Sequence, residues 1–522
     1  MARRVVVYND FSFGDFGRLG PSRAPKGSWT GSNMLVYRTG EIGVRAGLRE
    51  VTPSSGHVTG EVWALSPYGS LGNSFWYGVD DDVYWWSSLA GGGAATDFGT
   101  LTGNPGGPDD VDVAYYGDDT YIITETRGGY RIAAGVFSAM TGCPNGYSIA
   151  LVGDRVVISA ITTPASLRYS AAANPNSWPA TNSITVGGND IATTVRNQRG
   201  HLVIFKNDAG YYIMSGVPGV NETLRKALSD MGPGTASGVG TTRGGDRIWY
   251  VCEQEQTPIM FDGSKTQRAE HILLPNTGSP HSWVTPLPTG DPDSFALRVQ
   301  ADDELSTDPC IWLYLRGAWT KHTFGVAVNG PMAASSFSYF GDPSTSTDDD
   351  SVAQSPYLVI NDGVTSGTAS NFYSWMVDMD RPGSETDTFS ISHERAGDNS
   401  TAQVSGNFSL PEWWSDEGSE VQVRGVIVDF RTWNTGGSLT NHFDLEVDNF
   451  RPYNGSGAIE SLTQSWDEAG SLASTGGSYR RQAFSFGDSG YGNGFQLHFT
   501  NCRGIAIRRI EVVIDSTPPR GF

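Results

Sequence analysis

The sequence predicts an all-β protein with an N-terminal β hairpin or platform, a six- or seven-bladed-like β-propeller and a C-terminal β-sandwich. Three observations lead there. The 522 residues include 66 Gly, 15 Trp, 21 Tyr and 23 Phe but only 17% charged residues, a mix of many tight turns and many half-buried pleated surfaces. A hairpin-like unit recurs along the middle of the chain. The last third alternates apolar and polar residues with a period of two.

Residues 1–57 are expected to form the platform segment. In "GSNMLVYRTGEIGVRAGLRE" (31–50) a strand, a Thr39-Gly40 turn and a second strand follow one another, a hairpin set to join a sheet.

Residues 58–378 are expected to form the propeller. A hydrophobic strand, a Gly/Asp/Asn turn and a strand bearing Tyr or Trp recur, as in "SFWYGVDDDVYWWSS" (74–88), "VAYYGDDTYIITETRGGYRIAA" (113–134), "IALVGDRVVISAITTPASLRYSA" (149–171) and "CIWLYLRGAWTKHTF" (310–324). The turns tolerate positive φ or make Asx turns. Their spacing, centred near ~45 residues, is that of a four-stranded blade. One blade cannot bury both of its faces, whereas blades stacked radially cover one another. One stretch, "NETLRKALSDMG" (221–232), also fits a short helix with Asn221 as N-cap and Gly232 as stop. Trp178, before Pro179, is expected in extended backbone, pinning the crossing between two blades.

Residues 385–516 are expected to form the sandwich. In "FDLEVDNF" (443–450), Phe443, Leu445 and Val447 point one way and Asp444, Glu446 and Asp448 the other, as in a strand with one buried face.

Motifs that carry chemistry are scarce. The eight histidines lack the i, i+4 or H-x-H spacing of a metal site and are expected at the surface or at strand edges. Cys143, Cys252, Cys310 and Cys502 are far apart and are expected as buried free thiols. "GDSG" (487–490) lacks the context of a serine nucleophile and reads as a strand-end turn. Neither a G-x-S-x-G elbow nor a phosphate loop is present, and "SWDEAG" (465–470) lacks the spacing of the boxes repeated in glycan-cutting propellers. The acidic turns at 80–82, 290–293 and 348–350 depart from a calcium loop. No enzyme activity, cofactor or metal is therefore expected. Trp413, Trp414, Trp433 and Trp466 are the candidate contact residues: they fall in or beside predicted loops, where exposed rings stack on sugars or a partner, or they fill the core or a domain seam.

The formal net charge is −21, with a pI near 4.7. Such acidity disfavours phosphate-gripping surfaces but permits a wall past which DNA slides. The start, "MARRVVVYNDFSFG", is too short in apolar residues for a signal peptide, and no apolar run approaches a membrane span. The chain is expected to stay soluble in the cytoplasm where it is made, or to leave by lysis.

Two stretches carry a resemblance. "LRYSAAANPNSWPATNSITVGGNDIATTVRNQRGHLVIFKNDAGYYIMSG" (167–216), followed by "LRKALSDMGPGTASGVGTTRGGDRIWYVCEQEQTPIMFDG" (224–263), resembles bacteriophage tail proteins, and "SNMLVYRTGEIGVRAGLRE" (32–50) is similar to the way such chains open. The family is the tail nozzle or hub class, with related minor tail proteins. The resemblance implies a virion protein assembled in the host cytoplasm. It also implies a ring-forming β platform decorated by a propeller, as a homo-oligomer, typically a hexamer, that continues the DNA channel. Its partners would be portal or adaptor proteins and tail fibres or spikes, with DNA passing through without specific binding. The sandwich departs from some members, which leaves glycan or receptor binding through that domain as the alternative function.

Overall fold

The computed structural model describes residues 2–16, 24–37, 40–45, 48–50, 62–67, 75–79, 81–86, 94–102, 111–116, 119–162, 165–187, 192–206, 211–226, 239–241, 247–251, 257–269, 272, 282–287, 293–299, 310–323, 334–339, 355–361, 372–376, 393–396, 400–415, 419–432, 440–450, 460–469, 479–487 and 491–517. The described elements are strands, in two units. One comprises Met1–Leu48, Trp312–Gly325 and Met376–Phe522; the other comprises Arg49–Ile311 and Val326–Trp375.

The second unit is a propeller. Its first five sheets are four-stranded meanders: Val62–Pro67 to Thr96–Thr100, Val111–Tyr116 to Val136–Ala139, Gly146–Val152 to Ser183–Thr185, Ala192–Gln198 to Thr223–Lys226, and Val239–Thr241 to Thr266–Arg268. A sixth sheet opens with the hairpin Ser282–Pro286 and Phe295–Val299. The seventh holds Ala334–Tyr339, Ser355–Asn361 and Phe372–Met376, and takes its fourth strand, Leu48–Glu50, from the other end of the chain. The first strands touch in series from Val111–Tyr116 round to Ala334–Tyr339, which in turn touches Val62–Pro67. The described residues thus form seven blades. The ring closes when the chain's entering strand completes its last sheet, so no blade is left with an open partner.

Successive blades are held by packed side chains. Trp76 and Val83 meet Ile122, Tyr130 and Ile132; Tyr121 and Ile123 meet Ile149, Val156 and Ile158; Val203 and Phe205 meet Ile248, Tyr250 and Phe261. Trp178 lies in the seam between the second and third blades, 9% exposed, with Nε1–H donating to the Pro175 carbonyl at 2.7 Å. A polar staple spans three blades. The Asp112 carboxylate accepts from Ser148 Oγ at 2.5 Å, the Ile149 N–H at 2.9 Å and two Arg196 nitrogens at 2.6 and 3.0 Å.

Of the two readings of 221–232, short helix and strand, the described part takes the strand: Thr223–Lys226 is the outer strand of the fourth blade, paired with Tyr211–Ser215. Sheet pairing overrides a short run of good helix formers, which is marginal in isolation.

The first unit is a β-sandwich built from both ends of the chain. One sheet runs in the order Met34–Val36, Ile42–Val44, Ile505–Thr517, Glu420–Thr432, Tyr479–Ser485, with Ala2–Tyr8 also paired to Ile505–Thr517. The other runs Ala318–Thr323, Gly14–Asp15, Ser28–Ser32, Gly406–Ser409, Gly494–Arg503, Thr440–Phe450, Glu460–Ala469. Between them, Phe11, Trp29, Met34 and Ile42 share one core with Val426, Phe430, Phe443, Leu445, Phe499 and Ile510. The separate domains expected over 1–57 and 385–516 therefore fold as one unit, and the propeller expected over 58–378 is inserted in it and begins with residues 48–50. The cause is size: a hairpin of two three-residue strands cannot bury its own apolar face and needs the C-terminal strands to do so.

Polar contacts fix this union. Arg45 is fully buried; its Nε donates to Asn33 Oδ1 at 3.0 Å and its Nη2 to the Thr323 carbonyl at 2.9 Å. Asn33 Oδ1 also accepts from the Thr323 N–H at 2.9 Å, while Asn33 Nδ2 donates to Thr323 Oγ1 and to the Ser405 carbonyl, both at 3.1 Å. Two residues thereby join all three chain segments of the sandwich. Glu41, also buried, pairs with Arg431 at 2.8 Å. His322 corrects the surface expectation for histidines. It is wholly buried, with Nε2 2.7 Å from Thr320 Oγ1, and burial, then the Arg45 charge, holds its pKa well below the ordinary value.

Two outcomes follow in chemical and thermal denaturation. Asn33→Ala strips the buried Arg45 of a partner and lowers stability by about 2–4 kcal/mol, whereas Trp178→Ala opens a cavity between blades and costs about 3–5 kcal/mol. Because His322 stays neutral when folded, its contribution is fully present above its unfolded pKa of about 6.5 and is lost as pH falls below that value. The slope is at most about 1.4 kcal/mol per pH unit. His322→Gln flattens the fall in melting temperature between about pH 6.5 and 5; an unchanged slope contradicts the assignment.

Candidate binding face on the C-terminal sandwich

The outer face of the second sheet is built by alternation. On Thr440–Phe450 the side chains of Phe443, Leu445 and Val447 are buried, and on Gly494–Arg503 so are Phe495, Leu497 and Phe499. The intervening residues, Asp444, Glu446 and Asp448 on one strand and Gln496, His498 and Thr500 on its neighbour, take the opposite face. They lie side by side because Glu446 is in register with His498 and Asp448 with Gln496.

The four tryptophans divide. Trp413 and Trp414 pair with Phe495 and Gly494, and successive residues of a strand point to opposite faces. Trp413 is half-buried and stacks on Phe495 with centroids 5.2 Å apart. Trp414 is 41% exposed and stacks on Phe450 at 5.6 Å and 21°. Its Nε1–H donates to Glu412 Oε2 at 3.0 Å, which fixes the ring about its long axis. Gly494 makes room for it: a Cβ there would come within 3.1 Å of the indole and 2.5 Å of the Trp413 carbonyl oxygen. Trp466 packs edge-on to Phe430 at 4.6 Å and beside Phe443 at 5.8 Å, so it belongs to the core rim. Trp433 lies outside the described residues. The structure thus brings Trp413 and Trp414 together and leaves Trp466 apart in the core.

Beside the Trp414 platform runs a hydrogen-bonded row that residue types alone did not reveal. Ser409 Oγ lies 2.6 Å from His498 Nδ1, and His498 Nε2 lies 3.1 Å from Asp448 Oδ2. The order is that of a serine nucleophile, its base and the base's orienting carboxylate. The surroundings are not those of an acyl-transfer site. Ser409 sits mid-sheet, in register with Thr30 on one side and His498 on the other, and the adjacent Leu410 N–H is committed to the Leu497 carbonyl at 2.9 Å, so it cannot stabilise an oxyanion. Further along, Asp444 accepts from Ser465 Oγ at 2.5 Å and Asn501 Nδ2 at 2.7 Å, with His442 Nε2 3.2 Å away. Burial is the largest influence on Asp444 and pushes its pKa up, but the Asn501 and Ser465 bonds with His442 outweigh it and hold the carboxyl below its ordinary value. The face offers an aromatic ring and a row of hydrogen-bond acceptors.

Other sequence candidates fall elsewhere. Asp81 is bonded to Arg127, Asp82 accepts from Thr100 Oγ1 at 2.6 Å, and Asp293 pairs with Arg247 at 3.0 Å. Among the described residues no group of three or more His, Cys, Asp or Glu is arranged to hold a metal ion, and no helix is long and apolar enough to cross a membrane. Cys143, Cys310 and Cys502 form no disulfide; of the three only Cys502 is buried outright, and burial pushes the Cys143 and Cys502 thiols up. Cys252, the turn at 348–350 and residues 488–490 of "GDSG" lie outside the described residues.

No family model and no curated protein matches the chain. Among solved structures it is similar to YCF48 bound to D1 peptide, with TM-score 0.36 and 13% identity over 64% of this chain and 97% of that one. It is similar to the C-terminal WD40 domain of Sif2, with TM-score 0.34 and 11% identity over 62% and 82%. It is also similar to the N-terminal domain of Nup159, with TM-score 0.36 and 13% identity over 63% and 94%.

A fluorophosphonate serine probe tests the reading of the Ser409 row. The expected outcome is no labelling that Ser409→Ala removes; labelling of Ser409 itself would make the row a nucleophilic site.

Proposed function

We propose that this chain is a non-enzymatic structural subunit of a bacteriophage tail, of the nozzle or hub class. It forms a ring, typically of six copies, that continues the DNA channel and supports fibres or spikes, with portal or adaptor proteins as neighbours. It assembles in the host cytoplasm and acts in the virion.

The observation that carries this reading is the combination of the resembling stretches with the places they occupy. Residues 32–50 supply the Met34–Val36 and Ile42–Val44 hairpin of the sandwich and the Leu48–Glu50 strand of the seventh blade. They are therefore the segment through which a propeller is inserted into a β platform. Residues 167–216 span the third and fourth blades. A closed ring needs large interfaces between its copies, which an all-β chain of this size can supply. The net charge of −21 suits a wall that DNA passes without phosphate pairing.

One observation favours a second reading, a glycan- or receptor-binding minor tail protein. The exposed Trp414 ring, held flat by Gly494, Phe450 and Glu412, is a stacking platform beside acceptors suited to sugar hydroxyls.

Electron microscopy of assembled particles, with an antibody fragment against this chain, tests the first reading. The expected result is a ring of copies around the tail axis; copies only at fibre tips would overturn it. On a glycan array the second reading expects retention that Trp414→Ala abolishes and Trp414→Tyr largely keeps.

A further inference from the structure

The sandwich carries an edge strand whose outer backbone side has no strand partner among the described residues. Ala2–Tyr8 pairs with Ile505–Thr517 in unbroken register, from Ala2 opposite Ser516 to Tyr8 opposite Ile510. Among the described residues no strand pairs with its other side. Natural edge strands are kept apart by prolines, bulges or charges pointing along the edge. This one, with sequence ARRVVVY, has no proline and no bulge.

Its side chains divide cleanly. Val6 and Tyr8 pack on the sandwich core. Val5 and Val7 face outward, 53% and 40% exposed. They lie beside Val513 and Glu511, and the row through Glu511 continues to Ile427 and Ala483, so the outer face is partly apolar from the edge inward. Arg3 and Arg4 are exposed and make no ion pair among the described residues. Asp515, the register partner of Arg3, is held instead by Arg424 at 2.7 Å. Two cations without an ion partner among the described residues, beside an open backbone edge on a chain of net charge −21, suit an acidic strand.

The sandwich itself offers one. Among the described residues three other strands end its sheets, since Ala318–Thr323 pairs on to Cys310–Leu315. Met34–Val36 is three residues long and wholly buried. Tyr479–Ser485 carries Arg480 and Arg481, already paired with Glu468, Asp429 and Glu511, and offers no carboxylate of its own to Arg3 and Arg4. Glu460–Ala469 is ten residues long, free of proline and acidic at its end; Glu468 is paired with Arg480, while Asp467, bonded through Oδ1 to His442 Nδ1, keeps its side chain 67% exposed.

We propose that Ala2–Tyr8 of one copy adds antiparallel to Glu460–Ala469 of the next. Arg3 stands opposite Asp467, Val5 opposite Ser465 and Val7 opposite Thr463 on the outer face; Tyr8 meets Leu462 and Arg4 meets Trp466 on the inner one. This register keeps outward residues with outward and inward with inward, as sheet pairing requires, and places an Arg over an indole. The two edges are different patches, so the contact is head-to-tail and generates a ring or an open filament rather than a two-fold dimer. The proposal rests on the ring reading and names its contact.

The test is cysteine crosslinking of the full chain with Val5→Cys and Ser465→Cys, singly and together, beside size measurement by light scattering. The expected result is a ladder of crosslinked species from the double variant, with each single variant running as the uncrosslinked chain. Crosslinking by Val5→Cys alone would mean two-fold pairing of the edge with itself and overturns the proposal. An oligomeric wild type whose double variant does not crosslink overturns the contact while leaving the ring reading intact, whereas a wild type that is monomeric both in solution and in particles overturns both. As a check that needs no new bond, Arg3→Glu raises the concentration for half-assembly several-fold and Asp467→Arg in the same chain restores it, with melting temperature unchanged in both. Failure of the swap to restore assembly counts against the register.

Discussion

The architecture depends on the buried Arg45 guanidinium and its Asn33 partner. A buried charge is tolerated only when its hydrogen-bonding groups are met, and here they are met from different parts of the chain: Asn33 in the N-terminal segment, Thr323 at the end of the strand Ala318–Thr323 and, through Asn33, Ser405 in the C-terminal segment. The sandwich is therefore complete only when residues separated by nearly the whole chain have come together. Val5 opposite Val513 and Ile42 opposite Ile507 repeat the lesson in apolar form. The propeller is enclosed within the chain path of the sandwich, and its own ring is closed by Leu48–Glu50, only a few residues beyond Arg45.

Much of the fold was legible in the sequence because its signals are local. Phe443, Leu445 and Val447 alternate with carboxylates, and the structure buries the first set and turns the second outward. Glycines and Asx residues mark the blade hairpins, and Gly153 and Gly200 adopt positive φ in such turns. Long-range pairing was not legible. No local pattern tells that Ala2–Tyr8 lies against Ile505–Thr517, because both read as strands whatever their partners. Thr223–Lys226 shows the converse, since its residues suit a helix and the fourth blade's need for an outer strand decides.

The candidate face was legible in part for the same reason. Tryptophans at 413, 414 and 466 announce aromatic surface, but which ring is exposed depends on pleat phase and on the missing side chain at Gly494. Ser409, His498 and Asp448 are distant in sequence and become a row only through the register of three strands. His322 likewise looks like any isolated histidine until the fold buries it beside Arg45.

Hydrogen exchange of Asn33→Ala against wild type tests the central claim, that the two chain ends form one cooperative unit carrying an inserted propeller. Peptides covering Ala2–Tyr8, Met34–Val36 and Ile505–Thr517 are predicted to lose protection together, while peptides from the blades between 111 and 226 keep theirs. Loss confined to the N-terminal peptides, with Ile505–Thr517 unchanged, would contradict it.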